Sequence, residues 1–563
     1  MQYGWNPKIL NPWINQAGIV SAVTDQVYEK LITYDHKSEI SYRLATSYEY
    51  SPDHKTITFQ LRKGVKWHDG VPFTSADVKW CYDNIILKIP STTRTQFAGF
   101  GKVTCRAPDN YTVVFTAEMP WLDYVFAFSG SILPKHIYDG APEKNWDDNP
   151  ANMKPIGTGP WKIQEFVVGD HITFAANEDY YRGRVYIDKM IWKIIPSAQS
   201  ALLAFEAKEV DLIWGWTGKD LPHDIPRLGK TTGVRIYAWN YWAINKLLFN
   251  FRDEAVAKSP WLKDVRVRRA MAHAMNMSVI VERGVGSWAE VQPSLYPKPP
   301  YAVSWAYNPD VPRYPYDLKK AEQLLDDAGY RKGPDGVRIR TECIFSETYV
   351  PVDVVEMVKD MFRNIGIEVT MTAYDANTYS SRFWNNPEGY HDVPMSLFLQ
   401  AVGPHPDMLT RIYHSTATID KGGWNLIWYK NPEVDRLLDA ARVETDQAKQ
   451  TEMYKRMQYI LMEDLPNIPM YLVPQVEIWN ADFDRDADSM TPLWGQNPFY
   501  QVWWLKAQPP TKTLATTTTA ITRSTTTQPD FMTQYGALFG VAVPAVVILV
   551  AVAVYLTKKR RHS

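Results

Sequence analysis

Cysteine, net charge and catalytic signatures are all scarce in this chain of 563 residues. Its three cysteines, Cys81, Cys105 and Cys343, make neither a disulfide framework nor a CxxC metal spacing. They read as buried thiols, with one optional bridge between Cys81 and Cys105 left open for an oxidising compartment. A formal net charge of -1 gives no basic field, which excludes nucleic acid as a partner. There is no HExxH and no GxSxG, and "GTGP" at 157–160 lacks the spacing and the lysine of a phosphate-binding loop. The carboxylates Asp326 and Asp327 fall on the solvent face of a predicted helix, so the chain is expected not to be an enzyme; a surface-tethered hydrolase is the remote alternative. No cofactor is implied. The opening "MQYGWNPKIL" has neither a charged n-region nor an apolar h-region, so an export signal is expected upstream of it.

What is present begins at the far end. Residues 535–556 carry no charge, and about 22 residues at ~1.5 Å rise cross a bilayer's hydrocarbon core. One transmembrane helix is predicted there, followed by a basic tail, 557–563, with Lys558, Lys559, Arg560 and Arg561. Such a cluster stays in the cytoplasm, which puts the body outside the cytoplasmic membrane on a single-pass anchor. Before the span, 506–530 is rich in threonine and proline and too poor in apolar residues to fold, and it reads as a stalk.

The body alternates strand and helix patterns without an internal repeat, and its length asks for more than one core. Ile57, Phe59 and Leu61 alternate with polar residues as in a half-buried strand; Gly64 and Asp69-Gly70 then turn the chain. Thr74 and Asp77 make a capping-box pattern at the head of a helix. Asp317 begins another helix, with Leu318, Ala321, Leu324, Leu325 and Ala328 on one face and Gly329 just past its end. A helix over Val354 to Ile365 stops at Gly366 and leads into a strand through Ile367, Val369 and Met371; the last helices end before Pro466.

The stretch "ITFQLRKGVKWHDGVPFTSADVKW" resembles a signature of the family 5 extracytoplasmic solute-binding proteins of ABC importers, the oligopeptide and dipeptide binder class. "ILNPW", "PIGTGPWKI", "AANEDYYRGR", "FEAKEVDLI", "DVRVRRAMAHAMN", "YDLKKAEQLLDDAGY" and "NPEVDRLLDAARVETD" support it in order, from about Leu10 to Leu505. The resemblance implies an α/β fold of the class II periplasmic-binding-protein type, bilobed, with an extra subdomain in the first lobe, plus the C-terminal transmembrane helix. On it, lobe I takes 1–50, the subdomain 51–154, lobe I again 155–250, lobe II 251–470, and lobe I returns over 471–505. Lobe crossings are expected near Asn245 to Arg252 and Ile468 to Pro474. The family's opening strand, expected just before "GWNPKILNPW", has no counterpart in the sequence pattern. The anchored arrangement is similar to that of archaeal members. A monomer that hands its solute to permease subunits with separate ATPases is implied.

For the solute, the resemblance implies an aspartate that pairs with a peptide's α-ammonium, because a cation enclosed between lobes needs a charge partner. That position falls on Ala401 or Val402 here, with Asp407 the nearest substitute. An oligosaccharide needs aromatic faces and hydroxyl partners instead, and the chain has 22 Trp. Oligosaccharide is therefore placed ahead of peptide. The expected ligand-binding residues are Trp214 and Trp216, whose rings share one face of a strand; Trp239, Trp242 and Tyr379, which suit core packing equally; Gln400; Trp424 with Asn425; and Trp13. His68 with Asp69 reads as a structural turn. His391, His405 and His414 match no compact ligand set, although nickel carriers occur in the family, and no metal site is expected.

Overall fold

Alternation of apolar and polar residues builds the first sheet. Thr56–Leu61 buries Ile57, Phe59 and Leu61 and pairs antiparallel with Ala45–Tyr50 on one side and Thr112–Thr116 on the other; Thr104–Asp109 closes the sheet. Against it packs an aromatic nest in which the Phe128 ring lies 4.9 Å from Phe59 and 4.7 Å from Phe115, and Tyr82 lies 4.5 Å from Phe115. The helix Ser75–Cys81 starts where its capping box requires: the Thr74 N–H donates to Asp77 Oδ2 at 2.9 Å. The other oxygen of Asp77 accepts from the Lys135 N–H at 3.1 Å and so fixes a second helix start.

The computed structural model describes residues 2–3, 9–13, 18–34, 40–88, 97, 100–120, 125–140, 149–214, 221, 224–286, 288–299, 301–375, 378–379, 381–382, 391–403, 405–419, 423–485 and 502–504. The predicted stalk, span and basic tail lie outside these residues. Among the described residues no helix is long and apolar enough to cross a membrane.

A second four-stranded sheet runs in the order Gln2–Tyr3, Lys189–Ile195, His171–Ala176, Trp161–Val167. Its first member corrects the expectation that no opening strand exists: Gln2 pairs with Ile194 and Tyr3 with Ile195, in parallel. Two residues are too short for any periodicity to register, which is why the sequence pattern missed them.

The largest sheet has seven strands, with Leu212–Ile213, Asn467–Asn480, Val234–Phe249, Met395–Ala401, Ile339–Phe345 and Ile367–Ala373 in that order and Glu290–Val291 beside Asn467–Asn480. Ile339–Phe345 pairs in parallel with both its neighbours, and the pairs made by Val234–Phe249 are antiparallel. The helix Leu318–Asp327 is capped by Asp317, whose carboxylate accepts from the Lys320 N–H at 2.9 Å, and Gly329 past its end has φ +88°. Helices Val352–Asn364, Pro432–Val443 and Gln447–Asp464 follow, the last ending at Leu465 in the left-handed region.

Three buried apolar clusters result. One holds the first two sheets and includes Trp479; a small one joins Leu202, Phe205, Ile225 and Leu228 to Val476 and Ile478; the largest takes Ile244 to Phe249, Ile468 to Leu472 and the helices between. The two longest strands thus pass from one core to another, and cluster membership changes between Ala238 and Ile244 on one and between Leu472 and Val476 on the other. All three cysteines are buried thiols, and the optional bridge between Cys81 and Cys105 is not made.

Candidate functional site

The crossing is where the largest sheet is least regular. Val234–Phe249 pairs with Asn467–Asn480 from Val234↔Asn480 to Asn240↔Pro474, then resumes at Ile244↔Leu472, with another shift between Asn245 and Lys246. On its other side the same strand pairs Ala243↔Ala401, Ile244↔Gln400 and Lys246↔Phe398. The end of Met395–Ala401, with Val402 after it, therefore sits against the point where pairing resumes.

Lys246 is the residue that the sequence reading missed. It is 0 % exposed, and its ammonium donates to Gln400 Oε1 at 3.1 Å and to the Tyr413 hydroxyl at 3.3 Å. Burial alone pushes its pKa down to about 7. The signal was a single cation in the apolar run "AINKLLF". Gln400, one of the expected site residues, is buried beside it and reaches the Trp424 carbonyl at 3.4 Å. Trp424 is half-buried, with the Arg411 guanidinium 3.6 Å from its ring centre.

The other expected residues are placed differently. Asn425 is fully buried and spends its amide on the turn: Nδ2 donates to the His414 and Tyr429 carbonyls at 3.1 and 2.8 Å, and Oδ1 accepts from the Tyr429 N–H at 3.0 Å. Tyr379 is 0 % exposed, donates to the Leu397 carbonyl at 2.7 Å and stacks on Phe398 at 6.1 Å. Trp13 is buried in the first cluster, its indole N–H donating to the Ser131 carbonyl at 3.0 Å. In this conformation these three face protein on every side. Trp214, half-buried after Leu212–Ile213, has its ring 5.6 Å from Trp192. Trp216 lies outside the described residues, as do the side chains of Trp239 and Trp242, whose backbones run in Val234–Phe249.

Asp407 is spoken for. It is buried, and its carboxylate takes two bonds from Arg442, at 2.6 and 3.0 Å, and one from Thr410 Oγ1 at 3.0 Å. It does not stand in for an ammonium partner at 401 or 402. Among the described residues no group of three His, Cys, Asp or Glu side chains is placed to hold a metal ion. His68 holds a turn: its Nδ1 accepts from the Gly157 N–H at 3.2 Å and its Nε2 meets the Gly159 carbonyl at 2.9 Å.

The body is mixed α/β, and its two longest strands run through two cores with their pairing broken between them. Residues 39–420 match the family described as bacterial extracellular solute-binding proteins, family 5 middle, and the chain belongs to that family. It is a solute-binding receptor of the kind that serves ABC importers. It is 28% identical to the dipeptide-binding protein of Escherichia coli, over 82% of this chain and 86% of that one. It is 27% identical to the oligopeptide-binding protein AppA of Bacillus subtilis, over 83% and 84%. The crystal structure of NikZ from Campylobacter jejuni in complex with Ni(L-His) covers 86% of this chain and 94% of its own, with 25% identity and a TM-score of 0.73.

Proposed function

We propose that this chain is the extracytoplasmic receptor of an ABC importer that closes two lobes on a peptide-class solute and delivers it to a permease driven by separate ATPases. The observation that carries this is the pair of strands Val234–Phe249 and Asn467–Asn480, which join separate cores and lose their pairing between Asn240 and Ile244. Two strands linked through a gap in their hydrogen bonds let two rigid bodies turn, and closure then shifts as far as the solute prefers the closed state. Lobe I so defined includes the subdomain 51–154 and runs to about Ala238, lobe II begins by Ile244, and the return passes between Leu472 and Val476. Trp214, Gln400 and Trp424 are the contacts we assign to the solute, with Trp216, Trp239 and Trp242 as further candidates. Residues 535–556 tether the monomeric body to the membrane, a role supported by their uncharged length and the basic run after them.

Peptide now stands ahead of oligosaccharide because the E. coli and B. subtilis relatives are named as dipeptide and oligopeptide binders. Oligosaccharide remains the second reading on one observation: Ala401 and Val402 are uncharged and Asp407 is taken by Arg442. A thermal-shift screen of the full chain against short peptides, oligosaccharides and Ni²⁺ separates them. A ligand at 100 times its dissociation constant adds about 2.7 kcal/mol. Stabilisation by peptides alone supports the first reading, and stabilisation by sugars alone replaces it.

A further inference from the structure

Lys246 is the one lysine among the described residues that is buried from solvent. An ammonium has three N–H donors, and this one meets two neutral oxygens, with the Tyr413 ring centre 5.6 Å away. Among the described residues no carboxylate stands within ion-pair distance of it. The charged groups around it are committed elsewhere: on the adjoining helix Met408–Tyr413, Arg411 lies over Trp424, and Asp407, just before that helix, holds Arg442. Tyr413 accepts from Lys246 at 3.3 Å and from Asn467 Nδ2 at 2.9 Å, so its own hydrogen is left to donate. Two donors with hydrogens to spare therefore converge beside Gln400, one residue from Ala401. Burying an unpaired cation costs several kcal/mol, and a chain that keeps one at its crossing has a use for an anion there.

We propose that Lys246 is the anchor for a carboxylate of the solute, which enters by displacing the Gln400 carboxamide and takes a second hydrogen bond from the Tyr413 hydroxyl. This rests on the receptor function proposed above and narrows the solute to anionic members of the peptide class. Burial keeps the pKa of Lys246 near 7, so an arriving carboxylate restores its charge and draws in a proton.

Titration calorimetry on the full chain with matched pairs tests it: peptides of two to five residues with free or amidated C-termini, and the same peptides with Glu or Gln. The carboxylate member of a pair is expected to bind at least tenfold more tightly, with net proton uptake that grows from pH 6 to 8. Lys246→Met should bring the ratio close to one. The wild-type comparison stands even if that variant folds poorly. Equal affinity within every pair on wild-type protein overturns the inference and leaves the receptor function intact, as does a ratio that survives in Lys246→Met. Acetate or phosphate alone stabilising the chain as much as the peptides do also overturns it, by making the site one for a free anion. If no peptide binds wild-type protein, the peptide-class reading falls first, and this inference falls with it.

Discussion

Asp407 and Arg442 form a bidentate ion pair, 2.6 and 3.0 Å, between side chains only 3% and 10% exposed. Burial on its own would raise the Asp407 pKa, but the Arg442 guanidinium overrides it and holds the carboxyl below its ordinary value. Removing one partner strands the other charge in the interior, so Asp407→Ala should cost about 3–5 kcal/mol in denaturant unfolding. Peptide affinity, measured on the folded fraction, should stay within about twofold. An unchanged unfolding midpoint together with lost peptide binding would instead make Asp407 the ammonium partner.

His68 should make the body acid-sensitive. Its Nδ1 accepts a backbone N–H, which fixes the proton on Nε2, and burial pushes its pKa down to about 4 from an ordinary 6.5. The folded state thus holds fewer protons than the unfolded one between those values. The stabilisation from the His68 contacts is complete above pH 6.5 and is lost as pH falls toward 4. Unfolding midpoints followed from pH 7 to 4 should fall more steeply in the wild type than in His68→Gln, which does not titrate. Parallel curves would show that the turn at 157–160 is held by something else.

Much of the fold is legible in the amino-acid pattern itself. The helix Leu318–Asp327 announces itself through Asp317, one apolar face and Gly329, because caps and periodicity are local properties of the chain. The same holds for the Thr74–Asp77 box and the strand through Ile57, Phe59 and Leu61. What periodicity could not show is where polar side chains spend their hydrogen bonds. Asn425 donates to the His414 and Tyr429 carbonyls within its own turn, and Tyr379 to the Leu397 carbonyl on Met395–Ala401. Lys246, a single cation in an apolar strand, went unread because the Gln400 and Tyr413 that stand beside it lie far along the chain.

Tyr379 offers a clean division between packing and recognition. Tyr379→Phe removes only the hydroxyl that donates to the Leu397 carbonyl at 2.7 Å, leaving the ring against Phe398. The loss should be about 1 kcal/mol of stability, with solute affinity unchanged. Trp214→Ala should behave oppositely, weakening solute binding about tenfold or more, because its half-buried ring is one we assign to the solute. Affinity lost with Tyr379→Phe and kept with Trp214→Ala would exchange the two assignments.

The solute-free chain should gain stability as pH rises above neutrality, and Lys246 gives the sign. Its folded pKa is about 7 and its unfolded value near 10.4, so between them the unfolded chain holds the extra proton and each step up in pH favours folding. The gain should be on the order of 2–4 kcal/mol between pH 7 and 10, a size that survives the general loss of surface ion pairs at high pH. Lys246→Met removes the titrating group and its desolvation together, so the variant should be more stable than wild type at pH 7 and nearly matched to it at pH 10. Chemical denaturation at those two values reads the difference directly. A variant that is less stable at both would mean that the Gln400 and Tyr413 contacts outweigh the cost of the buried charge, and the crossing would then hold its lysine for structure rather than for a ligand.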